Sequence, residues 1–180
     1  MTPKDIERLK TRIADIKKSF ATEKLSYGKY PDKQVLRYQP TKYHIQLGDY
    51  TGGLTYVNWF SKNFPADCGL PFFLFEWTLI LFKNGKIKKA EKKAFETFCS
   101  NTYLFDKFFG RPVIPLDKWE NSNLENAAFA NHLGYTSQQI ELTDFSEWLT
   151  IFLSSARFTK LANKFIDMQK KVKTAHDPER

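Results

Sequence analysis

The sequence predicts an all-α fold, and three observations carry that expectation. Apolar residues recur at steps of three and four through most of the chain. No segment alternates apolar and polar residues over six or more positions between turn signals. Val113-Ile114-Pro115, the stretch nearest to a strand pattern, is short and holds proline, which a central strand excludes.

Thr2-Pro3 reads as a helix start: a hydroxyl N-cap, proline in the first turn, and Asp5 near the positive helix end. Ile6, Leu9, Ile13, Ile16 and Phe20 then form one apolar stripe, giving a helix over 3–20. Ser26 to Asp32 holds glycine and proline and reads as a loop. Pro40 lies inside the next apolar segment, so a helix there either begins near it or is kinked. Asp67 to Pro71 punctuates, and Phe72 to Phe82 is apolar on nearly every face, which describes a buried helix. Asn84-Gly85 breaks it, and Lys86 to Phe98 continues as an amphipathic helix. Asn101-Thr102 caps a short helix ending at Gly110, and Arg111 to Trp119 is a proline-bearing connector. Ser122 and Glu125 have capping-box spacing and open a helix to about Leu133. Gly134 to Leu142 reads as polar loop. Asp144 with Glu147 repeats the cap pattern before Phe145, Trp148, Leu149, Phe152 and Leu153. After Ser154-Ser155 a last helix carries Phe158, Leu161, Phe165, Ile166 and Met168, and the polar tail frays from Thr174.

The chain has 180 residues, 42% hydrophobic and 27% charged, as expected of one soluble domain spanning 1–180. Its longest apolar stretch, Leu70 to Phe82, is interrupted by Glu76 and is shorter than the about 20 residues a membrane span needs. MTPKDIERLK alternates charge, so no secretory leader is expected. Two cysteines, Cys68 and Cys99, are too few for a disulfide framework, and the expected compartment is cytoplasmic.

The net charge of +8 invites a polyanion reading, but only six of the 28 basic residues are arginine. The sharpest run, Lys83 to Lys93, holds six lysines against Glu91. Lys86, Lys89 and Lys93 share one helical face, which fits either plain solvation or a contact with nucleic acid. No nucleotide-binding glycine loop, nucleophile elbow or paired-histidine metal motif is present. His44, His132 and His176 lack a second ligand at helical spacing. No catalytic residue, metal or cofactor is therefore assigned, and the expected protein is not an enzyme.

At an offset of 37 residues the chain matches itself: LGDYTGGLTYV from Leu47 lies over NGKIKKAEKKA from Asn84. Gly48 and Gly85 each permit the positive φ that ends one helix and turns into the next. Tyr50 and Ile87 plug the gap, while Gly53 and Ala90 let paired helices approach closely. Pro65 closes the first unit. These features resemble the second half of a tetratricopeptide repeat, a helical hairpin of about 34 residues that stacks into a superhelix. The resemblance covers 34–102 as two repeats. Thr41, Phe60, Thr78 and Thr97 depart from it, standing where the family places small residues. Two repeats need covers, so the helix at 3–20 and those in 103–173 are expected as N- and C-terminal caps.

The resemblance implies a non-catalytic scaffold or adaptor that binds a peptide or helix of another protein in a groove. The matching groove positions are Tyr38, Lys42, Ile45 and Gln46, then Phe72, Phe75, Leu79, Phe82 and Lys83. The second set is poor in polar groups, so the chain's own C-terminal helices or an apolar partner helix would fill it. Phe75 and Leu79 stand where a carboxylate clamp would need lysine and asparagine, so capture of an acidic C-terminal tail is not implied. The alternative is a basic helical protein binding nucleic acid through the Lys83 to Lys93 run and the basic termini.

Overall fold

A computed structural model describes residues 1–28, 30 and 34–176. Most of the expected loop at 26–32 lies at the edge of, or outside, the described residues. Among the described residues the chain is all-α, with nine α-helices, two 3₁₀ turns and no strand. It divides into two compact units, Met1–Lys86 and Ile87–Arg180.

The first unit begins with α1 (Pro3–Tyr27), capped as its sequence requires. Thr2 Oγ1 accepts the Asp5 N–H, and the Asp5 carboxylate accepts the Thr2 N–H, a reciprocal capping box. Leu9, Ile13, Ile16 and Phe20 are its buried stripe. The helix outruns the expected end at 20 and stops only at Gly28, whose φ of 69° is left-handed. Residues 21–27 carry that extension on a mostly exposed flank that includes Leu25 and Tyr27.

Three more helices follow: α2 (Gln34–Gln46), α3 (Tyr50–Asn63) and α4 (Pro71–Lys83). Pro40 lies inside α2 and neither starts nor ends it. Proline cannot donate to the Leu36 carbonyl one turn back, and the next two carbonyls, of Arg37 and Tyr38, carry side-chain bonds. Tyr56 Oη donates to the Arg37 carbonyl at 2.6 Å. The Thr41 hydroxyl lies against both the Tyr38 carbonyl and the Glu76 carboxylate. Packing joins α1 to α2, and α2, α3 and α4 to one another.

Gly48 and Gly85 close their helices identically, with φ of 66° and 67°. Asp49 N–H reaches His44 O at 2.9 Å, and Gly48 N–H reaches Ile45 O at 3.0 Å. Lys86 N–H reaches Leu81 O at 2.9 Å, and Gly85 N–H reaches Phe82 O at 2.8 Å. Both are Schellman closures. Gly53 marks a close approach: a Cβ there would stand 3.0 Å from Ile80 Cδ1 and 3.4 Å from His44 Cβ.

The second unit holds α5 (Ile87–Ser100), α6 (Leu104–Phe108), α7 (Ala127–Ala130), α8 (Thr143–Leu153) and α9 (Ala156–Ala175). In it α5 packs on α9 and α6, and α8 packs on α9. The helix expected from Ser122 to Leu133 is instead a 3₁₀ turn, Asn123–Glu125, followed by the single turn of α7. The cause is Asn101. Its buried amide donates to Leu124 O at 2.7 Å and Asn126 O at 3.0 Å, the carbonyls a continuous helix would use itself. Asn126 then caps α7, accepting the Phe129 N–H at 2.8 Å.

The segment 134–142 is less polar in place than in sequence. Tyr135 and Leu142 are buried, and Ile140–Leu142 forms the second 3₁₀ turn. Asp144 falls within the first turn of α8 rather than at its cap. Ser155 caps α9 through the Phe158 N–H, and α9 continues to Ala175, past the expected end. The 111–120 connector is tied to α9 by the Trp119 N–H to Gln169 O bond of 3.1 Å and by a Lys173–Asp117 ion pair.

Two substitutions test these packing claims. Gly53→Val forces a branched side chain against Ile80 and is expected to cost about 1–3 kcal/mol in chemical denaturation. Asn101→Ala orphans two carbonyls and is expected to cost at least about 2 kcal/mol. Unchanged midpoints would contradict the respective contacts.

Candidate functional site

Four of the nine groove positions named from the sequence are core. Phe75 and Leu79 have no exposed surface, and Tyr38 and Ile45 are buried. Phe72, Phe82 and Lys83 are half-buried, while Lys42 and Gln46 are exposed. These residues therefore do not line one open wall, which corrects the expected groove. The reason is α4 itself: with Phe73, Leu74, Phe75, Thr78, Leu79, Ile80 and Leu81 all buried, it offers no spare face.

Polar groups in the first unit brace helices together. Arg37 Nη2 lies 2.6 Å from Asp67 Oδ2, and both side chains are nearly sealed from solvent. Tyr38 Oη donates to the same carboxylate at 2.7 Å. Burial and then Asp67 push the Tyr38 phenol up to about 12, so it stays protonated. Asp67 also accepts the Gly69 N–H at 2.8 Å, which fixes the turn entering α4. A charge pair buried this way specifies geometry more than it adds stability.

His44 and Asp49 form a second pair, at the turn between α2 and α3. Nδ1 lies 2.9 Å from Asp49 Oδ2, and Asp49 Oδ1 accepts the Gly52 N–H at 2.8 Å. Gly52 leaves room for this arrangement, because a Cβ there would fall 2.0 Å from Asp49 Oδ2 and displace the carboxylate. Burial holds His44 below the usual imidazole range, and the Gly52 N–H holds Asp49 below the usual carboxylate range.

The lysine run is split rather than continuous. Lys86 and Lys89 are exposed, whereas Lys93 is largely covered and ion-paired with Glu96. Ala90 and Ala94 are fully buried, as expected of an inner seam. Ile87, expected to plug a gap between paired helices, is instead 38% exposed. Cys68 and Cys99 are free thiols, and burial pushes Cys99 up to about 11, which makes it a poor nucleophile. Among the described residues no cluster of His, Cys, Asp and Glu could hold a metal ion. No helix among them is long and apolar enough to cross a membrane.

An apolar groove lies in the second unit, along α5 and α9 beside the end of α8. It is a groove of about 790 Å³. Ile87, Phe95, Phe152, Phe158 and Leu161 form its apolar lining, with Lys88, Lys92 and Arg157 around it. Phe158 anchors the floor through edge contacts to Phe95 at 6.2 Å, Phe98 at 5.3 Å and Phe152 at 5.2 Å. Sequence reasoning missed this site because it followed the lysine face of α5 and the helix contact at Ala90. A second stripe, Ile87, Phe95 and Phe98 at steps of eight and three, was equally legible.

No family model, no curated protein and no solved structure matches this chain.

The His44 pair predicts a pH dependence. The folded-state pKa of His44 lies below its unfolded value near 6.5. As pH falls through that value the unfolded chain takes up a proton the native imidazole refuses, so stability falls. The loss levels off below the native pKa. His44→Gln is expected to flatten this dependence between about pH 7.5 and 5.5, read from denaturation midpoints. An unchanged slope would refute the assignment.

Proposed function

We propose that this chain is a non-catalytic protein-interaction module that takes an amphipathic helix of a partner protein in the α5–α9 groove. The reading keeps the scaffold role implied by the tetratricopeptide resemblance and moves the binding surface to the second unit. The observation that carries it is the groove's apolar floor, in which Leu161 is 39% and Ile87 38% exposed among half-buried phenylalanines. Apolar side chains in such a cleft gain from being covered, at about 25 cal/mol per Å² removed from water. The cationic groups beside the floor, Lys88, Lys92 and Arg157, favour a helix whose polar flank is acidic. Glu91 and Glu96 also line the groove, so the preference is local and depends on register.

The stacked α2, α3 and α4 support a tetratricopeptide-like relationship, since the matching glycines close their helices in the same way. The two free thiols fit a reducing, cytoplasmic setting. Nucleic-acid binding through Lys86, Lys89 and Lys93 is the weaker reading, because Lys93 is already engaged by Glu96.

A model amphipathic peptide of about 18 residues, with leucines at helical spacing and glutamates on the flanks, tests the proposal by fluorescence anisotropy. Binding is expected to weaken at least about tenfold for Leu161→Glu, and by a similar factor when the peptide's glutamates become lysines. Equal binding by wild type and Leu161→Glu would refute the groove. Tight, steeply salt-dependent binding of a generic RNA or DNA duplex, lost on changing Lys86, Lys89 and Lys93 to glutamine, would promote the other reading.

A further inference from the structure

The helix α9 carries a period that the groove alone does not use. From Phe158 to Ala175 its apolar residues fall at steps of three and four without a break: Phe158, Leu161, Phe165, Met168, Val172 and Ala175. That is the a/d pattern of a coiled-coil strand, with Phe158, Phe165 and Val172 at a and Leu161, Met168 and Ala175 at d. The g positions beside this seam are Arg157, Lys164 and Lys171, a cation at every seventh residue. The e positions on its other side are Ala162 and Gln169.

The fold covers one side of the seam and leaves the other. Ala162 is buried and Gln169 half-buried, while Phe158 and Phe165 pack on Phe98 of α5 at 5.3 and 6.1 Å. On the open side Met168 is 55% and Val172 38% exposed. Arg157, Lys164 and Lys171 are exposed and make no ion pair among the described residues. Leu161 joins this strip to the α5–α9 groove. From Arg157 to Val172 the strip runs about 23 Å.

Charge and geometry select the occupant. A second α9 laid antiparallel would set g cations against g cations, and a parallel one would need the covered e edge. A bilayer would need a free apolar face, and α9 has much of its own packed on α5. Glu91 and Glu96 line the groove, but the residues of α9 beside them there are Arg157, Phe158 and Leu161, and Glu96 is already paired with Lys93. Asp167 falls at c, away from the seam. An acidic helix remains.

We propose that α9 is one strand of a coiled coil whose other strand is a partner helix with an acidic residue at every seventh position, opposite Arg157, Lys164 and Lys171. This rests on the helix-in-groove reading and extends it. The partner begins in the groove at Leu161 and runs on over Met168 and Val172, so its apolar residues follow the heptad and its acidic flank is fixed in register.

The test uses two peptides of three heptads with leucine at a and d, one with glutamate and one with lysine at e and g. Each is titrated into the full-length protein by fluorescence anisotropy. Met168→Glu, and Lys164→Glu combined with Lys171→Glu, are expected to weaken the glutamate peptide at least about tenfold with thermal stability retained. The double charge reversal is also expected to bind the lysine peptide more tightly than wild type does. Loss of binding with Leu161→Glu but not with Met168→Glu would overturn the extended pairing and leave the groove standing. Equal binding by wild type and every variant, Leu161→Glu included, would overturn both. A double charge reversal that binds each peptide as wild type does would overturn the acidic register. Capture of wild type by phosphatidylserine vesicles, abolished by Met168→Glu and with neither peptide bound, would overturn the proposal in favour of a bilayer.

Discussion

The helix α4 is apolar on nearly every face, and the first unit is arranged to satisfy that constraint. A helix of this kind cannot rest on a surface; it needs neighbours on several sides. The α2–α3 hairpin supplies two of them, and it reaches α4 because Gly53 has no side chain to hold it off Ile80. Polar groups that enter this interior are matched rather than exposed. Glu76 meets the Thr41 hydroxyl, and Arg37 meets Asp67 under the Tyr38 ring. Covering α4 places Phe73, Leu74, Phe75, Leu79 and Leu81 inside the fold, with Phe72 and Phe82 half-buried.

The second unit works under the opposite condition. Its helices α5, α8 and α9 are amphipathic, and α7 is cut to one turn by Asn101. Short elements and single apolar faces leave aromatic side chains half-covered. Phe95, Phe98 and Phe152 stay at that level, gathered on the buried ring of Phe158, and half-buried Phe165 packs on Phe98. Apolar surface that folding leaves accessible, in a concave site beside cationic side chains, is the physical basis for assigning recognition to this unit.

Local signals were legible in the sequence wherever chemistry acts over a few residues. The Thr2–Asp5 cap, the Gly48 and Gly85 closures, the Gly53 contact and the apolar character of α4 all follow from residue type and spacing. Signals that depend on distant partners were not. Pro40 reads as a break, yet α2 continues through it among bonds from Tyr56 and Thr41. Ser122 and Glu125 read as a long helix's start, yet Asn101, more than twenty positions away, takes the carbonyls that helix would need. The same gap explains why residues named for an open groove are buried. Phe75 and Leu79 share a helical face, but a face does not reveal whether another helix already lies on it.

The central claim is that recognition belongs to the α5–α9 groove and not to the interior face of α4. Methyl-resolved NMR of the full chain during titration with the acidic amphipathic peptide tests it most directly. The account predicts that Ile87 and Leu161 methyl resonances shift together and saturate at one stoichiometric end point, while those of Ile45 and Leu79 stay in place. Shifts confined to Ile45, Leu79 and their neighbours, with Ile87 and Leu161 unmoved, would contradict it.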